Sequence, residues 1–171
     1  MNQVIFPVVG VIGAGAMGRG IAQIAAQAGS VVRLFDSRRE AVSEAVDSIT
    51  GQWIKLLEKG RLTQDTLEAN KARLIGASSL SALADCSLVV EAIVERLDVK
   101  QNLFAELESI VNPNAVLATN TSSLSVTAIA AGLRLPARFA GFHFFNPVPL
   151  MKVVEVIAGL NLPMLIKLAS V

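Results

Sequence analysis

A doubly wound, mainly parallel α/β sheet is the fold this 171-residue sequence predicts, and three observations carry that expectation. Short apolar runs of strand length alternate with helix-length stretches, the pattern of repeated β–α–β units. A glycine-rich turn, Gly13-Ala14-Gly15-Ala16-Met17-Gly18, follows the first run and leads into the first helix. The polar residues that interrupt the apolar pattern fall where strands end, the edge at which such sheets bind ligands.

Val8-Val9-Gly10-Val11-Ile12 reads as a buried strand. The Ala-rich stretch Arg19 to Gly29 reads as a helix stopped by Gly29. Between them, Gly13 permits a tight turn, Gly15 lets backbone amides approach a pyrophosphate, and Gly18 lets the helix lie close to the strand. The helix N-terminus then offers unpaired N–H groups and a positive dipole end to the phosphates. A second strand, Val31-Val32-Arg33-Leu34-Phe35, ends on Asp36, an acid roughly 20 residues past the glycines. Together these make a Rossmann-type dinucleotide fingerprint. A carboxylate at Asp36 accepts hydrogen bonds from the adenosine ribose and repels a 2′-phosphate, so NAD is favoured over NADP. Arg38 and Arg39 follow; they either open the next helix in solvent or stand near enough to neutralise such a phosphate.

A long helix is expected from Glu40 to about Glu58, with Ala41, Val42, Ala45, Ile49, Trp53, Leu56 and Leu57 at helical spacing. Thr63 is placed to cap a second, shorter helix through Ala72. This helix–turn–helix excursion after the second strand lacks the basic recognition helix of its DNA-binding namesake. Strands resume at Leu74-Ile75 and at Ser87 to Ala92. A helix from about Leu97 to Val111 stops at Asn112-Pro113-Asn114, and the strand Val116 to Thr119 follows. Ser125 caps a helix from Val126 to Ala131, a strand runs from Phe139 to Phe145, and Val153 to Ile157 is a last strand candidate.

Hydrophobic residues make up 53% of the chain, enough for one substantial core. A net charge of +1 argues against nucleic acid or an anionic membrane as partner. Cys86 is the only cysteine, so no intrachain disulfide is possible. No apolar run reaches the roughly 18 residues needed to span a bilayer, and the N-terminus lacks a basic signal-peptide region. A soluble, cytoplasmic protein is the expectation.

The polar exceptions at strand ends are Asp36, then Glu95 and Lys100, then Asn120, Thr121 and Ser122, then His143 and Asn146. Each has a bland reading. Glu95 and Lys100 suit a solvated helix start, the Asn-Thr-Ser-Ser run suits a loop with a cap, and His143 among Phe142, Phe144 and Phe145 suits a satisfied core histidine. Their convergence on one edge favours a site.

Val89-Val90-Glu91-Ala92-Ile93-Val94-Glu95, Thr119-Asn120-Thr121-Ser122-Ser123, His143-Phe144-Phe145-Asn146-Pro147-Val148-Pro149 and Met151-Lys152-Val153-Val154-Glu155-Val156-Ile157 closely resemble the NAD-binding domain of the 3-hydroxyacyl-CoA dehydrogenases. The bacterial 3-hydroxybutyryl-CoA dehydrogenases are the nearest subgroup. The resemblance runs from Val8 to about Gly159 and implies roles. His143 is the general base for the 3-hydroxyl proton; Glu155, 12 residues downstream, orients its ring. Ser122 and Asn146 bind substrate and nicotinamide ribose, and Glu95 and Lys100 line the cofactor's nicotinamide half. Cofactor contacts are thus expected at Gly13, Gly15, Ala16, Met17, Gly18, Asp36, Glu95, Lys100, Asn120, Ser122, His143 and Asn146, with no metal.

Members of the resembled family continue with a helical domain of roughly 100 residues, a typical domain size, which closes over the acyl-CoA and makes the dimer. Here residues 1–159 read as the NAD-binding domain and 160–171 as an atypical apolar tail in its place. With Leu162, Met164, Leu165, Ile166 and Leu168, that tail is suited to cover an exposed docking face in a homodimer. Two functional readings stand: an NAD-dependent dehydrogenase of fatty-acid β-oxidation acting on (S)-3-hydroxyacyl-CoA such as 3-hydroxybutyryl-CoA, or a truncated NAD-binding module with little or no turnover.

Overall fold

A computed structural model of the chain describes residues 4–151 and 153–158. The strands are Val8–Ile12 (β1), Val31–Phe35 (β2), Leu74–Gly76 (β3), Leu88–Glu91 (β4), Val116–Thr119 (β5), Phe139–Phe144 (β6) and Val154–Ala158 (β7). Among the described residues they form one sheet in the order β3-β2-β1-β4-β5-β6-β7. The order turns outward in both directions from β1, with β2 on one side and β4 on the other. That reversal opens a crevice beyond the strand ends, where doubly wound sheets bind their ligands.

The helices are Ala16–Gln27 (α1), Arg39–Glu58 (α2), Gln64–Arg73 (α3), Leu97–Ile110 (α4) and Val126–Ala130 (α5). They cover both faces of the sheet, so the inner strands bury both sides and read as continuous apolar runs. On one face Val9, Val11, Val32, Leu34, Val90 and Ala118 pack with Ile21, Ala22 and Ala26 of α1 and Ile49 and Trp53 of α2. On the other, Val89, Leu117 and Phe139 pack with Phe104 and Leu107 of α4 and Ile129 of α5. The Phe104 and Phe139 rings meet edge to face, centroids 4.7 Å apart.

The strands β1, β2 and β5 coincide with the apolar runs that predict them. α1 begins at Ala16, earlier than the expected Arg19, because the small residues of the glycine turn already adopt the helix. The excursion forms as expected: Thr63 caps α3, its Oγ1 accepting the Thr66 amide at 3.2 Å. Ser125 likewise caps α5 by accepting the Ala128 amide. Among the described residues β7 is the one antiparallel strand. The segment between β6 and β7 is too short for the crossover of a dozen or more residues that a parallel partner requires. Antiparallel pairing places Glu155 directly opposite His143.

No helix among the described residues is long and apolar enough to cross a membrane. The tail at 160–171 lies outside the described residues.

Candidate functional site

The glycine turn is held from below and open in front. Gly13 sits at φ +103°, and any side chain there would run into the Ala92 carbonyl just past the end of β4. A Cβ on Gly18 would fall within the shell of the Gly13 carbonyl oxygen, so α1 can approach β1 only with glycine at both positions. Gly15 faces nothing within 4 Å. It is also the residue that starts α1, with no side-chain cap and no acid in the first turn. The first amides and the positive end of the helix dipole are therefore left to an anion, which fits a pyrophosphate.

Asp36 ties this turn to the end of β2. Its Oδ2 accepts the Ala14 amide at 2.8 Å and its Oδ1 accepts the Arg38 amide at 2.9 Å. A carboxylate has further acceptor sites beyond these two, so it can also receive ribose hydroxyls. Beside it lies a cavity of about 490 Å³ between Phe35–Ser37, Arg39 and the 77–81 segment, of a size for an adenosine. Arg39 lines this cavity, whereas Arg38 serves through its backbone amide.

A second cavity, about 400 Å³, lies beyond β4, β5 and β6. Met17, Glu95, Asn120, Ser122, His143 and Asn146 line it. His143 Nδ1 stands 2.9 Å from Glu155 Oε2, and the two side chains are 25% and 50% exposed. The histidine is thus neither buried nor a core residue. With Nδ1 engaged by the carboxylate, Nε2 is the ring nitrogen offered to a ligand. Asn120 Oδ1 accepts the Phe144 amide at 2.9 Å, so this residue also splices β5 to the end of β6. On the far side of the 146–150 segment, Val148 seats against Gly20 of α1, where a Cβ would clash with it.

Lys100 departs from expectation. It lines neither of these two cavities, and it is not a solvated helix-start charge either. Its side chain is 1% exposed, with Nζ 2.5 Å from Glu91 Oε1 and 3.5 Å from Glu95 Oε1. The first turns of α4 bring it over the end of β4, where only an opposite charge can hold an ammonium out of water. Glu95 does reach the cavity wall, and its Oε2 accepts the Thr121 hydroxyl at 2.6 Å. Thr121 was among the polar residues the sequence placed at a strand end, whereas Glu91 was given no role there; its one available signal was a carboxylate closing the apolar run at 88–91.

A third groove, of about 590 Å³, runs between α1, α2 and the 146–150 segment, with Arg19, Lys55 and Arg61 among its lining residues. It too escaped the sequence, because its cations come from three separate stretches. Cys86 is no nucleophile: burial pushes its thiol up to about 12. Among the described residues no cluster of histidine, cysteine or acids could hold a metal ion.

Residues 8–162 match the family model of the 3-hydroxyacyl-CoA dehydrogenase NAD-binding domain. The chain belongs to this family. It is 49% identical over 152 residues to the 3-hydroxyadipyl-CoA dehydrogenase of Escherichia coli K12, covering 89% of this chain and 32% of that protein. It is 43% identical over 152 residues to the 3-hydroxybutyryl-CoA dehydrogenase of Bradyrhizobium diazoefficiens, covering 89% and 52%. The crystal structure of a 3-hydroxybutyryl-CoA dehydrogenase from E. coli K12 superposes with a TM-score of 0.90 at 47% identity, over 93% of this chain and 34% of the other. That of (S)-3-hydroxybutyryl-CoA dehydrogenase from Ralstonia eutropha gives 0.88 at 38% identity, over 93% and 56%. The chain therefore spans about a third to a half of these relatives. What it shares with these relatives is the NAD-binding domain, and the glycine turn, open helix end and Asp36 are a chemically apt cradle for that cofactor.

Proposed function

We propose that this domain carries the NAD-dependent interconversion of (S)-3-hydroxyacyl-CoA and 3-oxoacyl-CoA, with His143 as acid–base and Glu155 as its orienting partner. The observation that carries the proposal is the 2.9 Å contact between His143 Nδ1 and Glu155, at the rim of a cavity that Ser122 and Asn146 also line. An imidazole titrates near neutrality, so it can take a proton during oxidation and return it during reduction.

Glu155 holds the proton on Nδ1, which leaves Nε2 as the acceptor for the substrate's 3-hydroxyl proton. The same carboxylate stabilises the imidazolium that results. Ser122 and Asn146 offer hydrogen bonds that orient the 3-oxygen and the nicotinamide ribose. Gly13, Gly15, Ala16, Met17 and Gly18 shape the pyrophosphate site, with Asp36 at the adenosine ribose. NAD, when bound, supplies the hydride acceptor at the substrate carbon. The groove with Arg19, Lys55 and Arg61 supports an acyl-CoA substrate, whose phosphates need cations. 3-Hydroxybutyryl-CoA is the substrate to try first, given the relatives' names.

NAD reduction in the presence of 3-hydroxybutyryl-CoA tests the proposal directly. A rate that depends on His143 supports it. NADH binding without any turnover would instead favour the reading as an NAD-binding module, which the partial coverage of the relatives keeps open. Exposed Leu150, Met151, Val153 and Ile157 support association into a homodimer. Light scattering across a concentration series tests that, and a monomer throughout refutes it.

A further inference from the structure

Glu91 takes no part in the mechanism above, yet its surroundings demand an explanation. It ends β4 two residues after Val89 and so shares the face packed against Phe104, Leu107 and Leu117. The Glu91 and Lys100 side chains are 0% and 1% exposed. Both carboxylate oxygens are satisfied. Oε1 accepts from Lys100 Nζ at 2.5 Å and from the Ile93 amide at 2.7 Å, and Oε2 accepts the Thr119 hydroxyl at 2.7 Å.

A buried ion pair is a poor device for stability, since apolar side chains of similar volume usually serve as well or better. Apolar side chains could not, however, continue the contact outward. Lys100 Nζ also reaches Glu95 Oε1 at 3.5 Å. The other Glu95 oxygen accepts the hydroxyls of Thr121 at 2.6 Å and Ser123 at 3.4 Å, and Thr121 Oγ1 in turn accepts the Leu124 amide at 3.0 Å. The series starts in the core and ends in the loop that presents Asn120 and Ser122 to the His143 cavity.

We propose that Glu91 is a positioning residue: it fixes the Lys100 ammonium, Lys100 fixes Glu95, and Glu95 fixes the 120–124 loop that receives the nicotinamide half of the cofactor. This rests on the dehydrogenase reading, which assigns the His143 cavity to the nicotinamide. The Asp36 cavity is lined by none of these residues, and the glycine turn meets them only through the backbone at Ala92 and Ile93. Loss of Glu91's charge should therefore weaken one half of the cofactor site and spare the other.

NADH and ADP-ribose, titrated separately by calorimetry into the chain and its Glu91→Gln variant, test this. ADP-ribose keeps the adenosine and pyrophosphate but lacks the nicotinamide. Gln preserves the shape and, through its carbonyl oxygen, the Ile93 hydrogen bond, while its NH2 donates to the Thr119 hydroxyl oxygen and the charge is removed. The expected result is NADH binding weakened about tenfold, with ADP-ribose changed by less than about twofold. Thr119→Val, which removes the hydroxyl that Glu91 Oε2 accepts, should weaken NADH alone by about threefold and serves if Glu91→Gln does not fold. Parallel losses for both ligands, no loss for either, or failure of both variants to fold would overturn the proposal and leave Glu91 a structural residue. If the unmodified chain binds NADH no more tightly than ADP-ribose, the nicotinamide site itself is absent and the dehydrogenase reading falls with the proposal. A nicotinamide preference that survives both substitutions overturns only the role of Glu91.

Discussion

Two acid–base pairs stand at the same edge of the sheet, and they differ chiefly in their access to water. Glu91 and Lys100 are sealed beneath the end of β4, whereas His143 and Glu155 face each other across β6 and β7 with a quarter and a half of their side-chain surface exposed. The sealed pair cannot part without leaving a charge in the core, so its value lies in fixed position. The open pair borders a cavity, and its histidine can exchange a proton with whatever enters. Similar chemistry is thus divided by burial into a sealed pair and a pair open to a ligand.

The strongest test of that division is His143→Gln. It should reduce kcat for 3-hydroxyacyl-CoA oxidation by about 10²–10⁴-fold, with NADH affinity nearly unchanged by calorimetry. Full activity in this variant would remove the open pair from the chemistry.

Lys100→Met should act the other way. It leaves Glu91 buried without its countercharge, at a cost of about 3–5 kcal/mol in denaturant unfolding. The double variant Glu91→Leu/Lys100→Met should recover most of that stability, because an apolar pair suits the α4 face, without recovering the preference for NADH over ADP-ribose. If the double variant binds NADH as the unmodified chain does, the sealed pair is only packing.

Asp36 extends the comparison to the far end of the crevice. Replacing it with Ala should weaken NADH by about 1.5–3 kcal/mol and NADPH by less, because the loss includes charge-assisted bonds to ribose. The substitution also frees the Ala14 and Arg38 amides, so part of the loss is a looser glycine turn. Equal affinity of the unmodified chain for NADPH and NADH would contradict the role given to this carboxylate.

Glu108 is the control, a buried acid that lines neither the Asp36 nor the His143 cavity. Burial acts to raise its pKa, but the amides of Arg134 and Leu135 and the nearby Arg138 and Arg134 charges outweigh it and hold the carboxyl below its ordinary range. A group depressed in the folded state stabilises the protein above its unfolded pKa, and that contribution is lost as pH falls through the folded value. Glu108→Gln should therefore cost about 1 kcal/mol at neutral pH, with the difference from the unmodified chain closing in pH-dependent unfolding as pH falls below the ordinary glutamate range. Ligand affinities should not move.

Much of this was legible in the chain. The apolar runs at 8–12, 31–35 and 116–119 coincide with strands, and the Thr63 and Ser125 caps stand where residue chemistry places them. The dinucleotide turn was readable because its glycines answer local demands: a positive φ at Gly13 and a backbone contact at Gly18. Lys100 was not readable in the same way. A lysine near a helix start is usually solvated, and nothing at position 100 reveals that the helix will carry it over Glu91.

Local periodicity and turn chemistry determined the strands, the helices and the pyrophosphate cradle, because those features depend on residues close together in the sequence. Partnership across the sheet was decided only by tertiary structure. The short return from β6 makes β7 antiparallel and sets Glu155 opposite His143, while the packing of α4 on β4 hides Lys100 and turns two carboxylates toward it. Such contacts join segments whose separation in sequence carries no periodic signal, and burial, which separates the open pair from the sealed one, exists only once the chain has folded.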